Sequence, residues 1–424
     1  MRFWKSRKGF LDLSTLSFPE RGELLQFLLF LFLLAFSLWR VERENRYLWF
    51  EDEGIVWLRL EGVPIETDRG LRFRAKVVGG DLPELYGRTA FVNIYGLKDL
   101  PTESFSLYGK VRAEGSRLFI SGSYRDIEDF LSEKTLRKSY INRIQERIQD
   151  PQVKAFVLTY LLGEAREGLP QDLQYYFTKT GLIHLLVISG FHVGMVFLLL
   201  RYLLPYPYGL LLGVVGVSLY VLLLVPKEAP VLRAWLMLLL WVLVRLSEGR
   251  PNSLGILLFS GSLLLLYRPE FSQSFSFWLS FFAVLYIILG LRLLPSEGSW
   301  VYRNLGLPFG VSLFAFLGVS PLLLSFTHTS LGSVLFSPLV GYMLLPFTAY
   351  GVLELITFFS LPTLPLELMG KAVIQVVELL SVFDLRVGFD LSVKSSFAIS
   401  TLGAFLLYLL SLVFTSSRHK APSP

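Results

Sequence analysis

Residues 180–203, TGLIHLLVISGFHVGMVFLLLRYL, are long and apolar enough to cross a bilayer as one helix. Yet the first fifteen of them hold two of the chain's four histidines, a serine and three glycines. Hydrocarbon offers such polar groups no partners, so they must face protein or a water-filled cavity. On a straight helix His184 and His192 lie about 80° apart, close enough to face one cavity, while Ser189 lies about 140° from His184. An undistorted helix therefore does not converge all three. Gly190 and Gly194 form a small-xxx-small pair that lets another helix approach, and the Ser189–Gly190 step is the place expected to unwind. The stretch reads as a helix interrupted where it lines a cavity. Packing glycines, with histidines bridging to neighbouring helices, are the simpler reading of the same residues.

The surrounding chain places this stretch in lipid. Its 424 residues are 53% hydrophobic and 17% charged, with a mean hydropathy of +0.54, too apolar for a soluble fold of this size. Spanning segments are expected near 181–203, 207–225, 230–246, 252–267, 273–294, 307–326, 332–361 and 397–415, after a first one at 24–39. Pro338 and Pro346 leave 332–361 readable as one kinked helix or two, so the reading is a polytopic α-helical protein of nine or ten crossings. A second amphipathic helix is expected at 364–385. The absence of cysteine excludes disulfides and thiolate metal sites. The net charge of +6 is the ordinary excess of Lys and Arg of a membrane protein and does not by itself imply nucleic acid.

Arg2, Lys5, Arg7 and Lys8 precede the first apolar run, so the basic N-terminus and first helix, residues 1–41, are read as starting in the cytoplasm. Between residues 51 and 130 the apolar period shortens to two, in IVWLRL, LRFRAKVV, RTAFVNIYG, FSLYGKVRA and RLFISG. Five short strands there suggest a small barrel-like β domain outside the cytoplasm. Residues 134–165 follow as an amphipathic helix on the membrane surface, ended by Pro151, and a short interfacial or re-entrant segment. The helical membrane domain then runs from 170 to 415, with a polar tail at 416–424.

Three chemical readings of the membrane stretch follow. Zinc needs three or four ligands, and only His328 and His419 remain outside the stretch, with no cysteine. An intramembrane hydrolase pairing Ser189 with His328 lacks the GxSxG elbow, because Val187 stands two before the serine. The third reading is a path for a polar solute, with Arg233 in PVLRAW as the cation along it and Lys179 at its mouth. A guanidinium snorkelling to the headgroups is the alternative for Arg233.

GLIHLLVISGFHVGMV resembles the signature of the ComEC-type competence proteins, TG-x-x-HLLAISGLHVG, keeping Thr180, Gly181, His184, Leu185, Leu186, Ile188, Ser189, Gly190, His192, Val193 and Gly194. The resemblance covers roughly residues 155–350 and includes PVLRAWLMLLL, RPNSL and SFSFWLSFFAV. It departs at Ser276 and Trp278, where the family has Gly and Gln, and at Ser333, where it has Asn. The resemblance implies an inner-membrane channel importing single-stranded DNA in natural transformation. The metallo-β-lactamase-like domain of full-length members, with its HxHxDH cluster, has no counterpart in the sequence, so no nuclease activity, metal or cofactor is expected. No GxxxxGK[ST] phosphate loop occurs either. Separate partners are therefore expected, namely a cytoplasmic ATPase motor, a DNA receptor and a nuclease. A transporter of another polar solute on the same scaffold is the competing class.

The resemblance also implies an OB-like β domain, and the strands themselves suggest its binding face. In LRFRAKV, Leu71, Phe73, Ala75 and Val77 alternate with Arg72, Arg74 and Lys76. Phe91, Asn93 and Tyr95 share a face of AFVNIYG, as do Tyr108, Lys110 and Arg112 of FSLYGKVRA. Cations for phosphates and rings for bases are what a single-strand platform requires. A charged solvent face is the plainer reading, because residues 51–130 hold 11 Lys/Arg against 14 Asp/Glu.

Overall fold

The computed structural model describes residues 21–46, 49–60, 65–82, 85, 87–97, 104–114, 117–131, 136–163, 169–186, 188–295 and 298–420. Arg2, Lys5, Arg7, Lys8, Val187 and the last four residues of the expected tail lie outside them. The described chain divides into two compact units, one of residues 38–171 and one formed by the N-terminal segment with residues 172–424.

The smaller unit is built on a closed barrel. Strands β1 (Trp49–Leu60), β3 (Gly70–Gly80), β4 (Thr89–Tyr95), β6 (Arg117–Ser123) and β5 (Ser104–Glu114) neighbour one another in that order, and β5 pairs back to β1. The β4–β6 pair is parallel and the others antiparallel. Closure in this order defines a five-stranded OB-type barrel. The short strands β2 (Ile65–Thr67) and β7 (Ile127–Leu131) add to β3 and β5.

All five expected strands form because their period-two pattern gives each an inward apolar row. Leu71, Phe73, Ala75 and Val77 of β3 join Val92, Ile94, Leu107, Val111 and Ile120 in one buried core. Gly70, at φ +145°, begins β3 where a Cβ would come within 2.1 Å of the Ile94 carbonyl, so only glycine permits that corner. β1 begins earlier than the sequence suggests, because Glu51, Asp52 and Glu53 pair with Arg112, Val111 and Lys110 of β5.

Two helices complete this unit. α2 (Leu136–Arg147) buries Ile144, and Ile148 just beyond it is fully buried. That part of its apolar face is covered by protein, while Leu136 at its start is exposed. α3 (Pro151–Leu162) starts with Pro151 at its first turn, capped by the Asp150 carboxylate through Gln152 and Val153, and ends on left-handed Gly163. Val153, Phe156, Val157, Tyr160 and Leu161 of α3 are buried.

The larger unit is helical. α1 (Arg21–Arg46) supplies the N-terminal run, whose Phe30 stacks on Phe281 at 4.9 Å. After α4 (Gln171–Lys179) and the short α5 (Ile183–Leu186) come α6 (Gly190–Arg201), α7 (Tyr208–Leu219), α8 (Ala229–Leu246), α9 (Ser253–Tyr267), α10 (Phe275–Leu293), α11 (Leu307–Leu323), α12 (Gly332–Ile356), α13 (Leu364–Leu380) and α14 (Val393–Lys420).

Among the described residues, five segments are long and apolar enough to span a bilayer: α8, α10, α11 with the π turn before it, α12, and α14 to residue 412. α6, α7 with its π turn, and α9 are shorter apolar helices. The chain is thus a multi-pass membrane protein carrying a β-barrel domain. Pro338 and Pro346 both lie inside α12, so 332–356 is one helix. The expected amphipathic helix is α13, which buries Leu366, Gly370, Val373, Ile374 and Val377 along one face.

Candidate functional site

The membrane stretch begins where α4 stops. Gly181 takes the left-handed conformation, φ +75°, and the amide of Leu182 reaches back to the Phe177 carbonyl at 2.8 Å, closing a Schellman-type end. The Thr180 hydroxyl donates to the Tyr176 carbonyl at 2.8 Å. A Cβ on Gly181 would stand 2.9 Å from that of Ser330 and 3.1 Å from that of Ser333. This turn is therefore wedged against the start of α12.

His184 lies on the single turn of α5. Its Nδ1 is 2.9 Å from the Gly181 carbonyl and must donate, which leaves Nε2 as an acceptor, 3.4 Å from Ser337 Oγ of α12. The Ser337 hydroxyl is also within reach of the Ser333 carbonyl one turn earlier, and its single proton serves one of these two acceptors at a time. Ser337 was not singled out from sequence, and 153 residues separate it from His184.

The interruption falls where the Ser–Gly step suggests. Ser189 is extended, at φ −133° and ψ −178°, and caps α6 by accepting from the Phe191 amide at 3.3 Å. Its own amide donates to His192 Nδ1 at 3.2 Å, a capping box with histidine in the place usual for glutamate. His192 is therefore protonated on Nε2, the opposite tautomer to His184, and is only 2% exposed. The two histidines have different partners. One ties α5 to α12; the other holds the start of its own helix.

A Cβ at Gly194 would meet nothing within 4 Å, and one at Gly190 would stand in ordinary van der Waals contact with Ala234 Cβ of α8, at 3.5 Å. Ser189 is occupied in its cap, whereas His328 lies against Gly388, whose Cβ would come 2.3 Å from His328 Nδ1. The two share no hydrogen bond among the described residues. No group of three or more metal-ligating side chains occurs among the described residues.

Arg233 is 6% exposed and donates from Nη1 to the Ser280 carbonyl of α10. It does not snorkel. Lys179 stands over the Tyr175 ring at 5.6 Å. Near it, Arg386 grips Asp384 through both carboxylate oxygens, and this bidentate bond holds the Asp384 carboxyl down to about 2. The pair adjoins the two-residue ladder of β8 (Thr329–Ser330) with β9 (Arg386–Val387). The Glu378 carboxylate, 3.4 Å from the Tyr176 hydroxyl, raises that phenol.

On the barrel, register lines up Arg74, Phe91, Phe119 and Arg112 across β3, β4, β6 and β5. The Arg74 guanidinium lies 5.2 Å from the Phe91 ring centre, and Phe91 stacks on Phe119 at 5.8 Å. One row away, Arg72 Nε donates to Asn93 Oδ1 at 2.8 Å. Beside it opens a cavity of about 310 Å³ lined by Arg69, Arg72, Asn93 and Tyr95. Lys76 continues the outward basic row of β3, and Tyr108 is exposed on β5.

Lys110 and Arg112 behave differently, because Glu53 and Glu114 pair with them at 3.2 and 2.7 Å. The outward face thus splits into a basic-aromatic half on β3, β4 and β6 and a charge-balanced half on β1 and β5. Phe119 was missed in the sequence, although the alternation of RLFISG places it beside Arg117 and Ser121.

The fold and these sites define a polytopic membrane protein with an OB-type barrel and a capped, interrupted helix in its helical unit. The family model described as Competence protein matches residues 161–418, and the chain belongs to that family. An uncharacterized protein of Aquifex aeolicus is 40% identical over 83% of this chain and 84% of its own length. Recombination protein 2 of Haemophilus influenzae is 24% identical over 64% of this chain. ComE operon protein 3 of Bacillus subtilis is 32% identical over 52% of it. The matches span 37% and 29% of those two longer proteins. No solved structure matches the chain.

Proposed function

We propose that this protein carries single-stranded DNA across the inner membrane during natural transformation. The observation that carries this reading is the Arg74–Phe91–Phe119 row on β3, β4 and β6. It sits on the strand face through which OB-type barrels take oligonucleotides. Its guanidinium answers a phosphate and its exposed ring edges answer bases, while Tyr95 and Arg72 border the adjoining cavity. Family membership and the names of two relatives, a recombination protein and a ComE operon protein, support the same reading.

In this scheme the barrel faces outward and receives the strand. The helical unit passes it along the interrupted stretch at His184, Ser189, Gly190, His192 and Gly194, with Lys179 and Arg233 as cations on the way. Each nucleotide brings one negative charge, so cationic relief along a hydrated path is a physical requirement. A cytoplasmic ATPase supplies the pull, and a DNA receptor and a nuclease act with it as separate partners.

The test is uptake of labelled DNA by a naturally competent host lacking this gene, complemented with the native chain or with Arg72→Glu/Arg74→Glu. The deletion abolishes entry into the cytoplasm and the variant restores little of it. Unchanged transformation in the deletion strain overturns the proposal and leaves transport of another polar solute.

A further inference from the structure

We propose that Arg233 and Ser280 form the closed state of an oxyanion site for a phosphate group, in which a backbone carbonyl occupies the place of the anion. This extends, and in its cargo rests on, the assignment of Arg233 to the DNA path.

Arg233 is a buried cation in an apolar helical unit, yet it makes no ion pair among the described residues. Its one bond is to the Ser280 carbonyl, and its Nε, buried, has no partner. Ser280 Oγ, on the same residue, is buried and likewise unpartnered. A guanidinium brings five donors and a full charge, so a single neutral acceptor leaves it under-satisfied. The Ser280 carbonyl is interior to α10 and already lies on that helix's own hydrogen-bond ladder.

A phosphate oxygen answers each of these deficits. Two of its oxygens accept from the guanidinium fork, and the unpartnered serine hydroxyl donates to one of them. With a phosphate both partners are ionised, and the guanidinium fork engages two oxygens in parallel where the carbonyl offers one. Exchange of the carbonyl for the anion releases the tie between α8 and α10. The start of the interrupted helix lies close by, because a Cβ placed on Gly190, the first residue of α6, would stand 3.5 Å from that of Ala234, next in sequence to Arg233.

The experiment measures the melting temperature of the purified full-length chain at matched ionic strength. Inorganic phosphate, a 15-residue oligothymidylate, and phosphatidylglycerol against phosphatidylcholine nanodiscs are the three arms. The native protein gains on the order of a few degrees in at least one arm. Arg233→Gln loses that gain while melting no lower than the native chain without anion, since it removes an under-satisfied charge. Ser280→Ala, which leaves the carbonyl in place, retains a reduced gain and serves where the arginine variant does not fold.

An equal gain in native and Arg233→Gln proteins, or no gain in any arm, overturns the site. A gain confined to phosphatidylglycerol upholds the site with lipid as its source, and removes it from the DNA path. Loss of DNA uptake in Arg233→Gln with no Arg233-dependent gain overturns the site and leaves the conduit standing.

Discussion

Glu53 of β1 holds Lys110 of β5 in an ion pair of 3.2 Å across two directly opposed strand positions. The pair decides which part of the barrel face is free to meet an anion. Arg72 and Arg74 instead engage an amide and an aromatic ring, which leave their charge uncompensated. In single-strand binding, Arg72→Glu/Arg74→Glu is expected to flatten the slope of log K against log salt by about 1.4, from two lost phosphate contacts. Lys110→Gln/Arg112→Gln changes it by less than half of that. Equal effects of the two pairs would show that the face is undivided.

Phe119 carries the second expectation, as the inner ring of the Arg74–Phe91–Phe119 row. Phe91→Ala removes a stacking surface and is expected to weaken oligonucleotide binding by about 1–3 kcal/mol. Phe119→Ala leaves Phe91 without its support and gives a smaller loss. Fluorescence titration of both variants at one salt concentration checks the order.

Two of the three glycines of the membrane stretch are expected to respond in opposite directions. Gly181→Ala forces a side chain into left-handed backbone, at about 1–2 kcal/mol, and drives its Cβ against Ser330 and Ser333. Gly194→Ala meets open space within a helix and gains roughly 0.5–1 kcal/mol from helix propensity. Thermal unfolding of the two variants in detergent reads the difference directly.

Ser189→Ala deletes the cap of α6 and is expected to cost about 1 kcal/mol, while Ser189→Asn keeps it. The His184–Ser337 contact is longer, at 3.4 Å, and a double-mutant cycle to alanine is expected to give a coupling of about 0.5 kcal/mol. A coupling of zero would mean that the two side chains act separately.

The bidentate Arg386–Asp384 bond gives the segment after α13 a defined acid limit. The folded Asp384 carboxyl sits below the ordinary range, at about 2. Its contribution is therefore complete above pH about 4 and is lost as pH falls through the folded value. Hydrogen exchange at the Leu331 amide, which bonds to the Leu385 carbonyl, is expected to stay slow at pH 5 and to quicken, relative to the intrinsic rate, below pH 3. Asp384→Asn removes the pH dependence.

Much of the architecture was legible because it rests on short-range periodicity. Period two in LRFRAKV places Arg72 and Arg74 outward whatever the barrel closes against, and the Ser189–Gly190 step marks a helix start through local capping chemistry. The acidic start of β1 was not legible, because Glu51–Glu53 looks like a charged loop until β5 lies opposite. Nor could the prolines of α12 be resolved into one helix or two, since only neighbouring structure decides whether a membrane helix continues past them.

The sequence by itself determined a membrane chain with a small barrel, outward cations and rings on its strands, and one interrupted apolar helix. Each of these follows from side-chain period or from a residue's own backbone preference. The tertiary structure decided the partnerships: Glu53 with Lys110, His184 with Ser337, and Arg233 with Ser280. Those contacts join residues 47 to 153 positions apart. Only the folded chain sets which charges are compensated and which keep their capacity for a ligand.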